Sequence, residues 1–473
     1  MTIAVAVLAG GQGTRFWPRS LASEPKQFLT VLGSSTLLQD AYRRACVLTS
    51  DRHVFVVAPR ALAPKVREQL PGLGDRLLIE PAAKDTALAI VYTAATLRSR
   101  LGDDCVVACL PADHYVADEA AFAQAVRAAA EEAEAADRIC LVGLVPTRPE
   151  VGYGYILGER RPESGVDRVS RFLEKPDIPR AQALIAEGAL WNVGITVAPV
   201  RRLVAEATRF VPELVQAVDD YLAGSEPEAT AAAIERLPRA SIEYAIHEHL
   251  DDLSVVRATF GWDDVGTWTA LDRIRDHDTD GNVVDGVVLA EDTENCILVN
   301  ATDHRILATL GANNLVCVTT EHATLVATKE RVADLKRLTA RIESQHASAV
   351  DRVAVAEPDE ALHVDKAWGH ETWWAHTERY VGKILYVRAH EALSLQYHNA
   401  KHESMLVVSG SGTLLLGDRE VPLRAGLSVD IPPGMVHRLV AGDSPVTVVE
   451  VSTPEVWDVV RLDDRYGRVQ AMA

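Results

Sequence analysis

The sequence predicts a large α/β domain, then a small all-β subdomain, then a C-terminal β-barrel, within 473 residues. Three observations lead there. In the N-terminal part, short runs that are apolar throughout alternate with helix-forming stretches, as in a largely parallel sheet covered on both faces. After about residue 275 the texture changes to short β-type runs with no helices between them. Beyond a charged helix and an Ala/Val/Asp-rich connector at about 347–360, the chain is nearly all short strands and turns, the spacing of a sandwich or small barrel. The units expected are 1–279, 280–350 and 351–473.

Residues 3–9 (IAVAVLA) read as a buried strand, and 53–59 (HVFVVAP), 105–116 (CVVACLPADHYV) and 137–146 (DRICLVGLVP) repeat the type. Helices are expected over 36–47, 60–70, 86–101 and 119–136, the last rich in good helix formers. Ligands of such sheets bind beyond the carboxyl ends of the strands. The glycines after residue 9 and the PADH at 111–114 both fall at such ends. The polar RDHDTDGNVVDG (275–286) opens the second region, with β-type runs at 286–292, 295–301, 305–311, 314–320 and 324–329 and a helix at 329–346. In the third, GKILYVRAH, ALSLQYH, SMLVVSGSGTLLLGD, LSVDIPPG, HRLVAG and VTVVEVS supply the strands.

Apolar residues make up 48% and charged residues 24%, an ordinary soluble balance. A net charge of −19 argues against a general nucleic-acid or membrane-surface binder. It leaves room for an anionic small ligand held by a few local cations. Six cysteines (Cys46, Cys105, Cys109, Cys140, Cys296, Cys317) form no CxxC pair and sit mostly in apolar runs, as buried thiols in a reducing compartment do. No basic stretch precedes the first apolar run, and none approaches the ~20 apolar residues of a membrane span. A cytoplasmic chain is expected.

The loop LAGGQGTRFWPRS (8–20) and the EPKQFL at 24–29 carry the first chemistry. Glycines let the backbone approach a ligand and offer N–H groups to phosphate oxygens. Arg15 adds a planar, permanent cation and Lys26 a point charge. Neither GxxxxGK[ST] nor GxGxxG is present, and on the glycines alone a plain strand-to-helix turn serves as well.

With those residues the segment resembles the pyrophosphorylase signature of sugar nucleotidyltransferases. Trp17-Pro18 and Pro25-Lys26-Gln27-Phe28 are similar to the mannose-1-phosphate guanylyltransferase form. Further segments match in order: EPAAKDTALAI (80–90), LPADHYV (110–116), PTRPEVGYGYI (146–156), FLEKP (172–176), WNVGI (191–195), SIEYAI (241–246) and WDDVGTW (262–268). The resemblance implies a Rossmann-like α/β nucleotidyltransferase domain joining a sugar 1-phosphate to the α-phosphorus of an NTP with loss of pyrophosphate. Charge neutralisation and alignment dominate such a reaction.

The roles it implies are these. Ala9, Gly10, Gly11, Gly13 and Thr14 make room for the nucleotide, and Arg15 faces the leaving pyrophosphate. Lys26 meets the reacting phosphates. Asp113 and Asp264 hold a Mg²⁺, Asp264 being chosen over Asp263 by the DVG pattern. Lys175 takes the sugar phosphate, and Glu174, Asn192, Gly152 and Gly154 take the sugar. Each has a plainer alternative: a helix cap for Asp113, a solvated surface pair for Glu174–Lys175. For the base, the family carries Arg-Asn-Thr-Ala where this chain has Lys84-Asp85-Thr86-Ala87. Asp85, with Thr86, is the candidate acceptor for guanine, and equally a helix N-cap. GTP and mannose 1-phosphate are the implied substrates.

In the third unit, Gln396 and His398 lie two apart, so on a strand they share a face. Glu403 and His437 complete a four-donor N/O set suited to Zn, Mn, Fe, Co or Ni. This spacing resembles the two cupin motifs, in the form of a type II phosphomannose isomerase domain fused behind a guanylyltransferase, with 280–345 similar to the β-helix-like piece between. A second activity on mannose 6-phosphate follows from the resemblance, as does a homo-oligomer, a dimer. The chain departs from the isomerase motif in three places: Lys401 replaces its Arg, Ser404-Met405 its His-Trp, and His390 the first cupin Gly. Lys401 is therefore the residue on which isomerisation turns. The alternatives are another base or sugar with a metal-binding, non-isomerising cupin, and a non-catalytic regulatory homologue.

Overall fold

A computed structural model describes residues 2–11, 14–21, 24–31, 33–161, 165–224, 227–345, 362–377, 379–455 and 458–466. The chain forms two compact units, 1–345 and 346–473. Among the described residues no helix is long and apolar enough to cross a membrane.

In the first unit the apolar runs become strands β1 (Thr2–Leu8), β2 (Val54–Pro59), β3 (Leu77–Glu80), β4 (Cys105–Pro111), β5 (Tyr115–Val116) and β6 (Cys140–Leu144). The run at 105–116 splits because PAD turns the chain before β5. Next come β7 (Gly154–Glu159), β8 (Val166–Glu174), β9 (Leu190–Pro199), β10 (Ser254–Ala258) and β11 (Trp262–Asp263). Helices α1 (Leu37–Leu48), α2 (Ala63–Gln69), α3 (Thr86–Leu101) and α4 (Glu119–Ala136) fall where expected. Thr36 and Gln39 close a capping box on α1, and Asp118 caps α4 through the Ala121 amide, fixing where each helix begins.

The central sheet runs β3-β2-β1-β4-β9-β6-β10-β8-β7. It is parallel through β3-β2-β1-β4 and at β6-β10, and antiparallel elsewhere. Strand–helix alternation foretells only the parallel part; β7 pairs antiparallel with both β8 and β9 instead. Chain order reverses at β1, with β2 on one side and β4 on the other. That is the switch point where loops diverge and leave a crevice. Leu8 pairs with Pro111 there, so the glycine loop and Asp113 leave the sheet side by side.

The β-type runs after 275 form β12 (Val283–Asp285), β13 (Val288–Glu291), β14 (Ile297–Asn300), β15 (Leu307–Leu310), β16 (Leu315–Thr319) and β17 (Thr324–Thr328). Parallel rungs stack β12-β14-β16 and β13-β15, so Val283, Ile297 and Val316 line up in a ladder. That ladder shares one core with Phe16, Leu29, Val31, Trp268 and Leu271, which is why 1–345 is a single compact unit. The charged helix expected at 329–346 starts as a 3-10 segment, Lys329–Asp334, and becomes α-helical over Leu335–Gln345.

The second unit holds two facing sheets. Their strands are β18 (Leu362–Lys366), β19 (Gly369–His376), β20 (Val381–Val387), β21 (Leu395–Tyr397), β22 (Glu403–Ser409) and β23 (Gly412–Leu416), then β24 (Arg419–Leu423), β25 (Ser428–Ile431), β26 (His437–Ala441), β27 (Val446–Ser452) and β28 (Val460–Asp463). The orders are β18-β19-β20-β27-β22-β25 and β24-β23-β26-β21-β28. Val387, Met405, Leu414, Leu439 and Val448 pack between them.

Candidate active site

The first site forms at the switch point. Gln27 is buried and donates to the carbonyls of Ala9 (3.0 Å) and Gly11 (2.9 Å), so it fixes the loop after β1 from the inside. Gly10 and Gly11 sit against acidic groups: a Cβ on Gly10 would come 3.2 Å from Glu80 Oε1, and one on Gly11 3.7 Å from Asp113 Oδ2. Gly13 lies outside the described residues. Thr14 opens the short helix Thr14–Phe16, and Arg15 is exposed on it.

Lys26 gathers the centre. Its Nζ pairs with Asp113 Oδ2 at 2.9 Å and donates to the backbone carbonyls of Asp264 (2.7 Å) and Val265 (3.1 Å). Burial opposes ionisation of Asp113, but Lys26 and His114 outweigh it and hold the carboxyl below the ordinary range. Asp264 Oδ1 accepts from the Tyr153 hydroxyl (2.7 Å) and the Gly266 amide (3.1 Å). The neighbouring Asp263 is spent structurally: it is buried, paired with Arg273 at 2.6 Å, and accepts from the Val265 amide. Val265 itself has φ 48°, a rare conformation for a β-branched residue. Two hydrogen bonds hold it there, from its amide to Asp263 and from Lys26 to its carbonyl, and strain of this kind collects at functional sites.

The sugar-side residues meet by strand register. Gly154 pairs with Glu174 across β7–β8 and with Asn192 across β7–β9. A Cβ on Gly154 would overlap Glu174 Oε2 and approach Asn192 Cβ to 3.2 Å, so glycine leaves both polar side chains together. Glu174 Oε2 is buried with no hydrogen-bond partner, while Oε1 pairs with Lys175 Nζ at 2.7 Å. Burial pushes the Glu174 carboxyl up, Lys175 opposes that, and Glu243 and Glu248 add to it. Tyr153 joins the two halves, since its carbonyl accepts from the Lys175 amide at 3.1 Å.

Asp85 adopts the cap role. It precedes α3, accepts from the Thr86 amide at 2.9 Å, and lies 3.6 Å from Arg239. Thr86 Oγ1 accepts from Ile242, and Lys84 donates to Leu237. Sequence reasoning passed over four residues: Gln27, Tyr153, Glu80 and Lys336. Glu80 is 4% exposed beside Gly10, and burial, with Asp85 adding, pushes its carboxyl up to about 8. Lys336 stands near enough to Arg15 that the guanidinium, then burial, lowers its pKa. The EP of EPAAKD marks Glu80 in the sequence; for Lys336 no local signal exists.

The barrel holds a second cluster. His398, Glu403 and His437 place their ligand atoms within 4.8 Å of one another and are all buried. Gln396 pairs in register with His437, its amide 3.4 Å from His437 Nε2. Each His has its Nδ1 against a backbone carbonyl, Asp458 for His398 and Met435 (2.9 Å) for His437. That arrangement puts the proton on Nδ1 and leaves Nε2 as a lone pair facing Glu403. His398 Nε2 and Glu403 Oε2 are buried without hydrogen-bond partners. Orphaned donors of these types fit a divalent transition metal. Lys401, 3% exposed, pairs with both Glu403 and Glu450 (2.9 Å). His390 has φ 63°, the backbone that explains a glycine at this place in the cupin motif.

Family models match in three consecutive pieces: Nucleotidyl transferase over 4–281, MannoseP isomerase/GMP-like beta-helix domain over 286–342, and Mannose-6-phosphate isomerase C-terminal over 356–464. The chain is 34% identical to the xanthan biosynthesis protein XanB of Xanthomonas campestris pv. campestris (strain B100), over 98% of each chain. It is equally identical, over 98% of each, to the mannose-1-phosphate guanylyltransferase ManC of Salmonella typhimurium. A crystal structure described as a mannose-1-phosphate geranyltransferase from Thermus thermophilus superposes with a TM-score of 0.66 at 34% identity, covering 72% of this chain and 100% of that one. The chain belongs to the nucleotidyl transferase family, in its mannose-1-phosphate guanylyltransferase branch with a mannose-6-phosphate isomerase C-terminal domain.

Proposed function

We propose that the first unit transfers the guanylyl group of GTP to mannose 1-phosphate, forming GDP-mannose and pyrophosphate. The observation that carries this reading is the Lys26–Asp113–Asp264 cluster at the switch point, with the Gly154–Glu174–Asn192 register beside it. Mg²⁺, when bound by Asp113 and Asp264, supplies charge neutralisation between the two phosphates. The rest falls to side chains. Lys26 neutralises the reacting centre, and Arg15 with Lys336 draws the departing pyrophosphate. Gly10 and Gly11 let the triphosphate approach. Glu174 and Asn192 accept and donate to sugar hydroxyls, and Lys175 takes the sugar phosphate. The sugar phosphate is already ionised, so no general base is needed.

With Asp85 engaged as a cap, Glu80 is the better acceptor for the N1–H and N2–H₂ edge of guanine. A buried acceptor of this kind strongly rejects a purine lacking those donors. We assign 1–279 to transfer, 280–350 to the subdomain that brings Lys336, and 351–473 to the barrel. In the barrel, His398, Glu403, His437 and Gln396 hold a divalent transition metal, with Lys401 as the adjoining cation for mannose 6-phosphate isomerisation. Six free cysteines suit a cytoplasmic protein, for which we propose a homodimer.

Pyrophosphate release from mannose 1-phosphate with each of the four NTPs tests the transferase reading. Release with GTP is expected. Release with another NTP only overturns the base, and release with none overturns the enzyme. Metal-loaded protein that makes no fructose 6-phosphate from mannose 6-phosphate restricts the protein to transfer.

A further inference from the structure

We infer that Tyr153 is a positioning residue that commits Asp264 to bind the divalent cation through one oxygen, Oδ2. The inference rests on the transferase reading above. Asp264 Oδ1 is taken twice, by the Tyr153 hydroxyl at 2.7 Å and the Gly266 amide at 3.1 Å. Oδ2 accepts no hydrogen bond among the described residues. It lies over Gly266, where a Cβ would come within 2.7 Å, so glycine keeps that oxygen clear. One carboxylate oxygen is anchored and the other is presented.

The anchor is rigid. The Tyr153 ring is buried between Trp191 and Trp262, edge-on to both at centroid distances of 5.2 and 5.0 Å. The Arg148 guanidinium lies 5.9 Å from its centroid. The hydroxyl therefore has little freedom to leave Asp264, and a phenol is a donor at neutral pH. The same residue accepts the Lys175 amide, so the carboxylate is aligned from the strand pair that forms the sugar side.

The chemistry gives this arrangement a consequence. Mg²⁺ demands a near-octahedral shell of single oxygens at about 2.0–2.1 Å, whereas Ca²⁺ accepts bidentate carboxylates at about 2.3–2.6 Å. A carboxylate locked to one outward oxygen favours the smaller ion. Without the Tyr153 hydroxyl, Oδ1 keeps only the 3.1 Å bond from the Gly266 amide, a looser hold that lets the carboxylate turn towards bidentate binding, so Tyr153 also biases selectivity between the two cations.

The test uses the full chain with the barrel site first filled by one equivalent of Zn²⁺, and saturating GDP-mannose. Mn²⁺ is titrated by EPR, then displaced by Ca²⁺. Tyr153→Phe keeps the ring and its packing. It is expected to weaken Mn²⁺ about tenfold, the lower end for loss of a hydrogen bond to a metal ligand, and to narrow the gap between Mn²⁺ and Ca²⁺ with an unchanged melting temperature. Unaltered Mn²⁺ affinity in Tyr153→Phe, with loss in Asp264→Asn, overturns the role of Tyr153 and leaves the transferase reading standing. Unaltered affinity in Asp264→Asn overturns the metal assignment and this inference together.

Discussion

The two polar centres are built on opposite plans. The switch-point site draws on residues from Ala9 to Lys336, and Asp113 and Asp264 remain half-buried. The barrel site takes all its donors from 396 to 437, and His398, Glu403 and His437 are 1–2% exposed. One must admit two polyanions and release two, so its carboxylates stay within reach of solvent, with Lys26 and His114 beside Asp113. The other encloses its charges, and there each must be matched at once, as Lys401 does between Glu403 and Glu450. An open site tolerates imbalance; a closed one converts imbalance into instability.

The sharpest break is Asp113→Ala. It removes a carboxylate proposed to hold Mg²⁺ and leaves Lys26, 12% exposed, with only the carbonyls of Asp264 and Val265 as partners. Transfer should fall about 10³-fold with the melting temperature of the first unit nearly unchanged, as read by pyrophosphate release and calorimetry. Wild-type turnover would remove Asp113 from the site. Glu403→Ala should do the reverse. It takes from Lys401 one of its two carboxylates, leaving Glu450 at 2.9 Å, costs about 2 kcal/mol in denaturant unfolding of the second unit through the lost buried hydrogen bonds, and empties the barrel of metal by elemental analysis. Transfer should be unaffected. A stable, metal-retaining variant would refute the closed-site account.

Smaller effects refine the contrast. Glu80, at about 8 when folded, binds a proton between about pH 4.5 and 8 that the unfolded chain does not. Stability from this group is therefore full at acid pH and is lost as pH rises through that window. Glu80→Gln should flatten the decline in denaturant midpoint between pH 5 and 8; an unchanged decline places its cause elsewhere. If Glu80 reads guanine, GTP binding at pH 7 favours its carboxylate and releases a proton, which calorimetry in buffers of different ionisation enthalpy detects. Least of all, His390→Gly should stabilise the barrel by about 1 kcal/mol, because a left-handed backbone suits glycine. Destabilisation would show that the imidazole has a role.

Elements were legible where local chemistry decides them. α3 and α4 were bounded to the residue, because their alternatives lack caps and periodicity. Asp113 was legible as a strand-end residue, and His398, Glu403 and His437 as donors with a shared spacing. What escaped is what register and distance decide. Tyr153 reads as one more core aromatic until Asp264, 111 positions later, arrives against its hydroxyl. Gln27 reads as a loop polar residue until the carbonyls of Ala9 and Gly11 turn towards it. Asp85 had two locally equal readings; its carboxylate accepts from the adjacent Thr86 amide, as a cap would, and the fold adds Arg239 at 3.6 Å.

The bonds from Gln27 have a kinetic meaning. A peptide unit is planar and trans, so its carbonyl and the following N–H point in opposite directions. With the Ala9 carbonyl held by Gln27, the Gly10 N–H is aimed the other way before any nucleotide is present. Backbone freedom at residues 9–11 is thus surrendered during folding and not at each encounter. Nucleotide capture should then follow a single concentration-dependent phase at the pace of charge-steered collision, and Gln27→Ala should introduce a slow, concentration-independent step ahead of tight binding.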